Sequence, residues 1–117
     1  MTEVILDTSF ILTCIRQKID FFEELKMLGL KVLVPKQVIT EIVGLAPSKR
    51  EAEFALTLLE KIKPKEVDLF TKNVDQGLID YVKKNKDVFI ATLDRGIKKR
   101  VTNSNVVIRE KKRLEVI

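Results

Sequence analysis

Four acidic residues occupy positions where a folded chain could gather carboxylates into one cleft. Asp7 directly follows a short strand-like apolar run, Asp94 comes just after another, and Glu41 and Asp75 lie in segments with helical periodicity. Either aspartate alone is more simply interpreted as the N-cap of the helix that follows it. Four unpaired carboxylates in one cleft would repel one another, and a divalent cation would relieve that repulsion. The combination therefore indicates an acidic, cation-binding site.

Histidine is absent and Cys14 is the only cysteine, which limits the catalytic groups and metal ligands that the chain can offer. These absences exclude Ser-His-Asp and Cys-His triads, paired-histidine ribonuclease catalysis, and zinc sites built from imidazole or several thiolates. The four glycines are too widely spaced for either nucleotide-binding glycine motif. Oxygen ligands without histidine or thiolate favour Mg²⁺ or Mn²⁺ over zinc. Cys14 itself is predicted to be a small core residue.

The positions of two of these acids on their helices are unusual for carboxylates. Glu41 has Val38 at i−3 and Leu45 at i+4, so we expect it to share the apolar stripe of its helix. Asp75 is followed by apolar residues at i+3, i+4 and i+7, so it borders a buried face. Carboxylates are rarely buried without a partner. The same test also selects Glu24, which has no evident role, so helix faces alone do not define the site.

Apolar periodicity predicts strands alternating with helices along the whole chain. The predicted strands cover residues 3–6, 31–35, 66–70, 87–92, 106–110 and 113–117. The predicted helices cover residues 10–17, 38–45, 74–84 and 94–101, and the segments between Asp20 and Gly29 and between Ser48 and Pro64. This alternation predicts an α/β fold, a three-layer sandwich with a central, mostly parallel sheet flanked by helices. The carboxyl ends of such strands share one edge, so the four acids are expected to meet there.

Helix boundaries are predicted from capping residues. Thr8 or Ser9 is expected to cap the first helix, and Asp20 with Glu23 forms a capping box for the second. A second capping box is predicted over residues 48–51, at the start of the fourth helix.

The composition is that of a folded protein, with 117 residues, 45% of them apolar and 33% charged. Residues 1–117 are predicted to form one domain. No apolar run approaches the roughly 20 residues that a membrane helix needs, so no membrane partner is expected. The lone cysteine and the absence of a basic leader segment predict a cytoplasmic protein.

A net charge of +5 permits a polyanionic partner without requiring one. Arg95, Lys98 and Lys99 follow the last acid and share one helix face, and residues 111–113 form a second basic cluster. Such clusters can neutralise phosphates, but they equally serve as a solvated helix face or as protection of an edge strand. Aromatic residues are scarce and Tyr81 is the only one with a polar ring, so base stacking is not expected.

Four stretches resemble, in order, the four acidic motifs of the PIN domain family, a metal-dependent ribonuclease fold found in VapC toxins and in rRNA-processing nucleases. They are VILDTSFIL, VITEI, VDQGLIDYV and FIATLDRGIKKRV, and together they extend over essentially the whole chain. The first and last are fairly specific, whereas the middle two are weak alone. The resemblance implies that Asp7, Glu41, Asp75 and Asp94 are the catalytic and metal-binding acids.

Three further residues gain an interpretation from this resemblance. Ser9 stands where the family often has a small polar residue, and Thr92 matches the threonine of a T-x-D motif, so their hydroxyls are expected to fix the carboxylates. Many relatives have a second acid after the aspartate of the third motif, where this chain has Gln76. If that acid helps to hold a metal in relatives, a second ion is expected to bind poorly here.

The resemblance implies hydrolysis of RNA phosphodiesters with Mg²⁺ or Mn²⁺, leaving 5′-phosphate and 3′-hydroxyl ends. It implies either a VapC-type toxin, whose partner is an antitoxin protein, or an RNA-processing nuclease that works with ribosome-assembly factors. An RNA substrate would need a basic rim, for which the cluster of Arg95, Lys98 and Lys99 is the candidate. The resemblance also implies that the chain pairs as a homodimer. Two alternatives remain open: a catalytically inactive PIN-fold module that binds RNA or protein, and an interaction domain that Mg²⁺ merely stabilises.

Overall fold

A computed structural model describes all 117 residues, which form a six-stranded sheet between two layers of helices. The strands are β1 (Thr2–Leu6), β2 (Leu30–Pro35), β3 (Lys65–Val67), β4 (Phe89–Ala91), β5 (Asn105–Arg109) and β6 (Arg113–Val116). The helices are α1 (Thr8–Arg16), α2 (Phe21–Met27), α3 (Lys36–Leu45), α4 (Arg50–Ile62), α5 (Val74–Lys84) and α6 (Arg95–Arg100). The predicted order of strands and helices is confirmed.

The strand order β3-β2-β1-β4-β5-β6 produces a topological switch point at the centre of the sheet. The chain first adds β2 and β3 on one side of β1 and then crosses to place β4 on the other side. All neighbours run parallel except β5 and β6, which form an antiparallel hairpin. The predicted mostly parallel α/β architecture is therefore confirmed. In such sheets a crevice opens at the carboxyl ends of the strands beside the switch point, here β1 and β4.

Side chains alternate between two cores on opposite faces of the sheet. Val4 and Leu6 of β1 pack into the larger core, which α1, α2, α3 and α4 cover. Ile5 points to the opposite face and joins a smaller core beneath α5 and α6. The central strands are consequently buried on both faces, which explains why their sequences are unbroken apolar runs.

The N-cap predictions were right for Asp20 of α2 and for Asp7, whereas Thr8 and Ser9 do not cap α1 and the capping box predicted for α4 does not form. Asp20 accepts a hydrogen bond from the backbone N–H of Glu23, as predicted. The N-cap of α1 is Asp7 rather than Thr8 or Ser9. Lys49 begins α4 without a side-chain cap, because the Ser48 hydroxyl donates to the carbonyl of Leu45 instead. The chain thus turns tightly out of α3, and no capping box forms.

Strand β3 is shorter than the predicted strand over 66–70. The carboxylate of Asp68 accepts a hydrogen bond of 2.8 Å from the backbone N–H of Phe70, and Phe70 has a left-handed φ of 56°. This turn removes the segment after Val67 from the edge of the sheet. Strand β4 is likewise shorter than predicted, because the chain leaves the sheet at Thr92 to enter α6.

Glu24 and Cys14 belong to the scaffold. The backbone N–H of Leu114 donates to Oε1 of Glu24 at 2.8 Å and so links α2 to β6. Cys14 is fully buried, as predicted, and burial, followed by the nearby charge of Glu24, raises the pKa of its thiol to about 12. None of the helices is both long enough and apolar enough to span a membrane.

Candidate functional site

The structure brings all four predicted acids to one open cavity of about 780 Å³ at the carboxyl edge of the sheet. Asp7 follows β1 and Asp94 follows β4, the two strands beside the switch point. Glu41 lies on α3, the helix after β2, and Asp75 lies in the first turn of α5, the helix after β3. Four successive strand–helix units therefore contribute one carboxylate each.

Asp7 is the only buried acid of the four, and its two carboxylate oxygens have different partners. Its Oδ1 accepts hydrogen bonds from the backbone N–H of Ser9 at 2.6 Å and from the Ser9 hydroxyl at 2.9 Å. Its Oδ2 accepts one from the hydroxyl of Thr92, which in turn accepts from the backbone N–H of Asp94 at 3.1 Å. Thr92 thus connects the first acid directly to the last.

Asp94 is the N-cap of α6. Its Oδ1 accepts hydrogen bonds from the backbone N–H groups of Gly96 at 2.7 Å and Ile97 at 3.3 Å. These bonds fix the carboxylate at the mouth of the cavity while Oδ2 makes no hydrogen bond. The Asp94 side chain can therefore cap α6 through one oxygen and take part in the site through the other.

Glu41 is exposed, so the expectation that it shares the apolar stripe of its helix was wrong. Val38 and Ile42 form the buried face of α3, and position 41 lies about 100° around the helix from Ile42. That rotation takes its side chain to the cavity instead of the core. There its Oε1 accepts a hydrogen bond from the hydroxyl of Thr8, the residue after Asp7.

Asp75 makes no hydrogen bond through its side chain, and its environment disfavours the charged form. Partial burial raises the pKa of its carboxyl group above the usual value, and the charges of Asp94, Asp7 and Glu41 raise it further. The charges of the other three acids thus act on Asp75 across the cavity.

No basic side chain forms an ion pair with any of the four acids. The two ion pairs of the molecule, Lys65 with Glu3 and Arg109 with Glu115, both lie elsewhere. A cluster of carboxylates that no ion pair neutralises offers the oxygen ligands that a hard divalent cation prefers. No three acidic side chains are already arranged as a group of metal ligands. Binding an ion would therefore require these side chains to draw closer together.

A family model described as PIN like domain matches residues 4–113. The chain belongs to the PIN domain family. Ribonuclease VapC4 of Methanocaldococcus jannaschii is 31% identical to it in an alignment 134 positions long, gaps included, which covers 99% of this chain and 97% of that protein.

Two solved structures share the PIN fold. The PIN domain endonuclease Utp24 superimposes with a TM-score of 0.83 at 24% identity, covering 97% of this chain and 90% of that one. VapBC2 from Rickettsia felis, solved bound to a DNA fragment from its promoter, gives a TM-score of 0.57 at 14% identity, covering 89% of this chain and 98% of that one.

In this PIN domain, Gln76 is held away from the acidic cavity. Its side-chain amide donates to Asp80 at 2.8 Å, and its carbonyl oxygen accepts from Arg100 at 3.0 Å. Gln76 therefore links α5 to α6 and does not line the acidic cavity.

The basic residues at the cavity differ from those that the sequence predicted. Arg16, at the end of α1, and Lys49, at the start of α4, both line it. Arg95, Lys98 and Lys99 are not among its lining residues, although they follow Asp94 on α6. No sequence pattern indicated Arg16 and Lys49, because only the packing of α1 against α4 brings these two residues together.

Proposed function

We propose that this PIN domain is a metal-dependent endoribonuclease that uses Asp7, Glu41, Asp75 and Asp94 with Mg²⁺ or Mn²⁺. The observation that carries the proposal is the convergence of four carboxylates from four strand–helix units on one cavity with no compensating ion pair. The name of the curated relative, a ribonuclease, supports RNA as the substrate.

The bound ion would polarise the scissile phosphate, lower the pKa of a bound water and stabilise the leaving oxygen. Asp7 and Asp94 are proposed as direct ligands, because hydrogen bonds already orient both oxygens of Asp7 and one oxygen of Asp94 at the cavity. Glu41 and Asp75 would hold the ion directly or through water and orient the attacking water. Ser9 and Thr92 would keep Asp7 in place.

The RNA backbone would cross a cavity whose wall carries Arg16 and Lys49, and these side chains are proposed to contact phosphates. Arg95, Lys98 and Lys99 would extend the basic surface from the cavity along α6. None of the five forms an intramolecular ion pair, so their charges are available to a polyanion.

The proposed chemistry serves two cellular roles with different partners. A VapC-type toxin would bind an antitoxin protein, and an RNA-processing nuclease would bind ribosome-assembly factors. Pairing of the chain as a homodimer is compatible with both. A catalytically inactive binding module is the alternative, and the presence of all four acids in one cavity favours the enzyme.

Cleavage of mixed cellular RNA provides the test. The protein should cleave RNA in Mg²⁺ or Mn²⁺ and not with a chelator. Asp94→Asn should reduce cleavage to the level of the chelator control, because the amide removes a negative charge from the cavity. Asp87→Asn is the matched control, since Asp87 is exposed at the opposite edge of the sheet and should be dispensable.

Retention of the fold in Asp94→Asn is checked by thermal unfolding. Metal-independent cleavage, or equal cleavage by Asp94→Asn and wild type, would refute the site. Tight RNA binding without cleavage of any RNA would favour the inactive module.

A further inference from the structure

Phe70 is the most exposed large apolar residue of the chain, with 88% of its surface accessible. It lies in the segment between β3 and α5, residues 68–73, which we call the β3–α5 loop. The ring gains nothing from burial in the monomer, so stacking against a ligand would remove a large apolar surface from water.

Contacts on both sides of Phe70 fix the backbone of the β3–α5 loop and leave the ring in solvent. Gln37 of α3 donates to Asp68 at 2.8 Å and accepts from the backbone N–H of Leu69 at 3.0 Å. Leu69 and Thr71 pack so closely on Gly77 of α5 that a methyl group there would lie 2.7 Å from the Thr71 methyl carbon. The residues on either side of Phe70 are thus fixed, while its own ring makes no part of either core.

Phe70 lines a hollow of about 640 Å³ on the surface of the molecule. Thr40 and Glu41 line both this hollow and the acidic cavity, so the two spaces are neighbours on α3. Phe70 and Val74 are the only apolar residues that line the hollow, and Lys72 is also present.

A single aromatic face among polar groups matches a nucleobase better than a protein partner. Protein interfaces require a contiguous buried patch, and stable ones bury on the order of 800 Å² on each side. A nucleobase instead has two flat apolar faces and polar edges, and single-stranded RNA presents such bases one at a time. Because hydrogen bonds fix the backbone at Leu69 and at Phe70, little backbone freedom is lost when the ring stacks.

We propose that Phe70 is a positioning residue that stacks on an unpaired base of the RNA, next to the phosphate held at the acidic cavity. The inference rests on the proposed function in taking RNA as the ligand. It replaces the expectation from composition that this chain has no stacking residue. The stacked base would fix the register of the strand relative to the four acids.

The test measures base stacking separately from cleavage. Short single-stranded RNAs, each with 2-aminopurine at a different position, are titrated into the full chain carrying Asp94→Asn, which keeps the RNA intact. Stacking on an aromatic ring should quench the fluorescence at one or two positions. Adding Phe70→Ala should abolish that quenching and weaken binding roughly 5- to 150-fold.

Two further variants identify the cause of any change. Phe70→Tyr keeps a ring and should preserve quenching, whereas Phe70→Leu keeps apolar bulk alone and should behave as Phe70→Ala. Phe54→Ala is the matched control, because Phe54 is also exposed but lies on α4, away from both spaces, and should bind RNA normally. In the cleaving protein, Phe70→Ala should raise KM more than it lowers kcat.

The outcomes separate this inference from the proposed function. Position-dependent quenching that requires Phe70, in a protein that cleaves no RNA, would support the stacking site and refute the nuclease. Metal-dependent cleavage with identical binding and quenching in Phe70→Ala would refute the stacking site alone. Self-association that Phe70→Ala abolishes, without any effect on RNA, would assign the ring to a second copy of the chain and overturn the inference.

Discussion

At the scale of single residues, Thr92 is the side chain that connects Asp7 to Asp94. The Thr92 side chain is fully buried, and its hydroxyl both donates to Asp7 and accepts from the backbone N–H of Asp94. Thr92→Val keeps the shape and removes both bonds, which leaves a buried carboxylate oxygen and an N–H without partners. We expect the free energy of unfolding to fall by about 1–3 kcal/mol in denaturant titration.

Thr92→Val should also reduce the rate of RNA cleavage, by roughly 10- to 100-fold, because Asp7 is no longer held in one orientation. Thr92→Ser retains the hydroxyl and should recover most of the activity, so it separates the hydrogen bonds from the packing. Equal activity of the valine and serine variants would show that Asp7 does not need this support.

At the scale of elements, the packing of α5 against the β3–α5 loop depends on Gly77. A helical glycine replaced by alanine is normally stabilising, by up to about 1 kcal/mol. Here the added methyl would lie 2.7 Å from the Thr71 methyl carbon and 3.0 Å from Cβ of Leu69. Cβ of Leu69 cannot move without the loop, and rotating the Thr71 side chain would break the hydrogen bond that its hydroxyl accepts from Asn73, so we expect Gly77→Ala to lower the free energy of unfolding by about 1–3 kcal/mol.

Gly44 provides the matched control for this prediction. It also lies in a helix, α3, and a methyl group there would have no neighbour within 4 Å. Gly44→Ala should therefore leave stability unchanged or raise it by a few tenths of a kcal/mol, since the site is near the helix end. The prediction fails if the two substitutions shift the thermal midpoint in the same direction.

At the scale of the whole molecule, the sheet and the meeting point of the acids could be predicted because both follow from local patterns. Each acid is near the end of a strand, and parallel strands end at one edge. The proximity of Arg16 to Lys49 was not predictable, because it arises from helix packing. The presentation of Phe70 was not predictable either, because it depends on Gln37, which is 31 positions before Asp68.

The distribution of charge over the molecule determines how salt affects RNA binding. Each phosphate contact with single-stranded RNA contributes about 0.7 to the slope of log affinity against log salt concentration. Replacing Arg16 and Lys49 together by glutamine should therefore reduce the slope by about 1.4. The same double change at Lys83 and Lys84, exposed at the far end of α5, should leave it unchanged although the net charge falls equally.

For the basic residues of α6 we expect a different result in the same salt titration, because they do not line the acidic cavity. If Arg95, Lys98 and Lys99 contact the RNA as proposed, replacing all three by glutamine should reduce the slope by about 2.1. These three side chains do not line the acidic cavity, so affinity should fall with little change in kcat. Arg16 and Lys49 line the same cavity as the acids, and their loss should lower kcat as well. A slope that does not change with the α6 variant would make this cluster a solvated helix face and confine the RNA path to the cavity between α1 and α4.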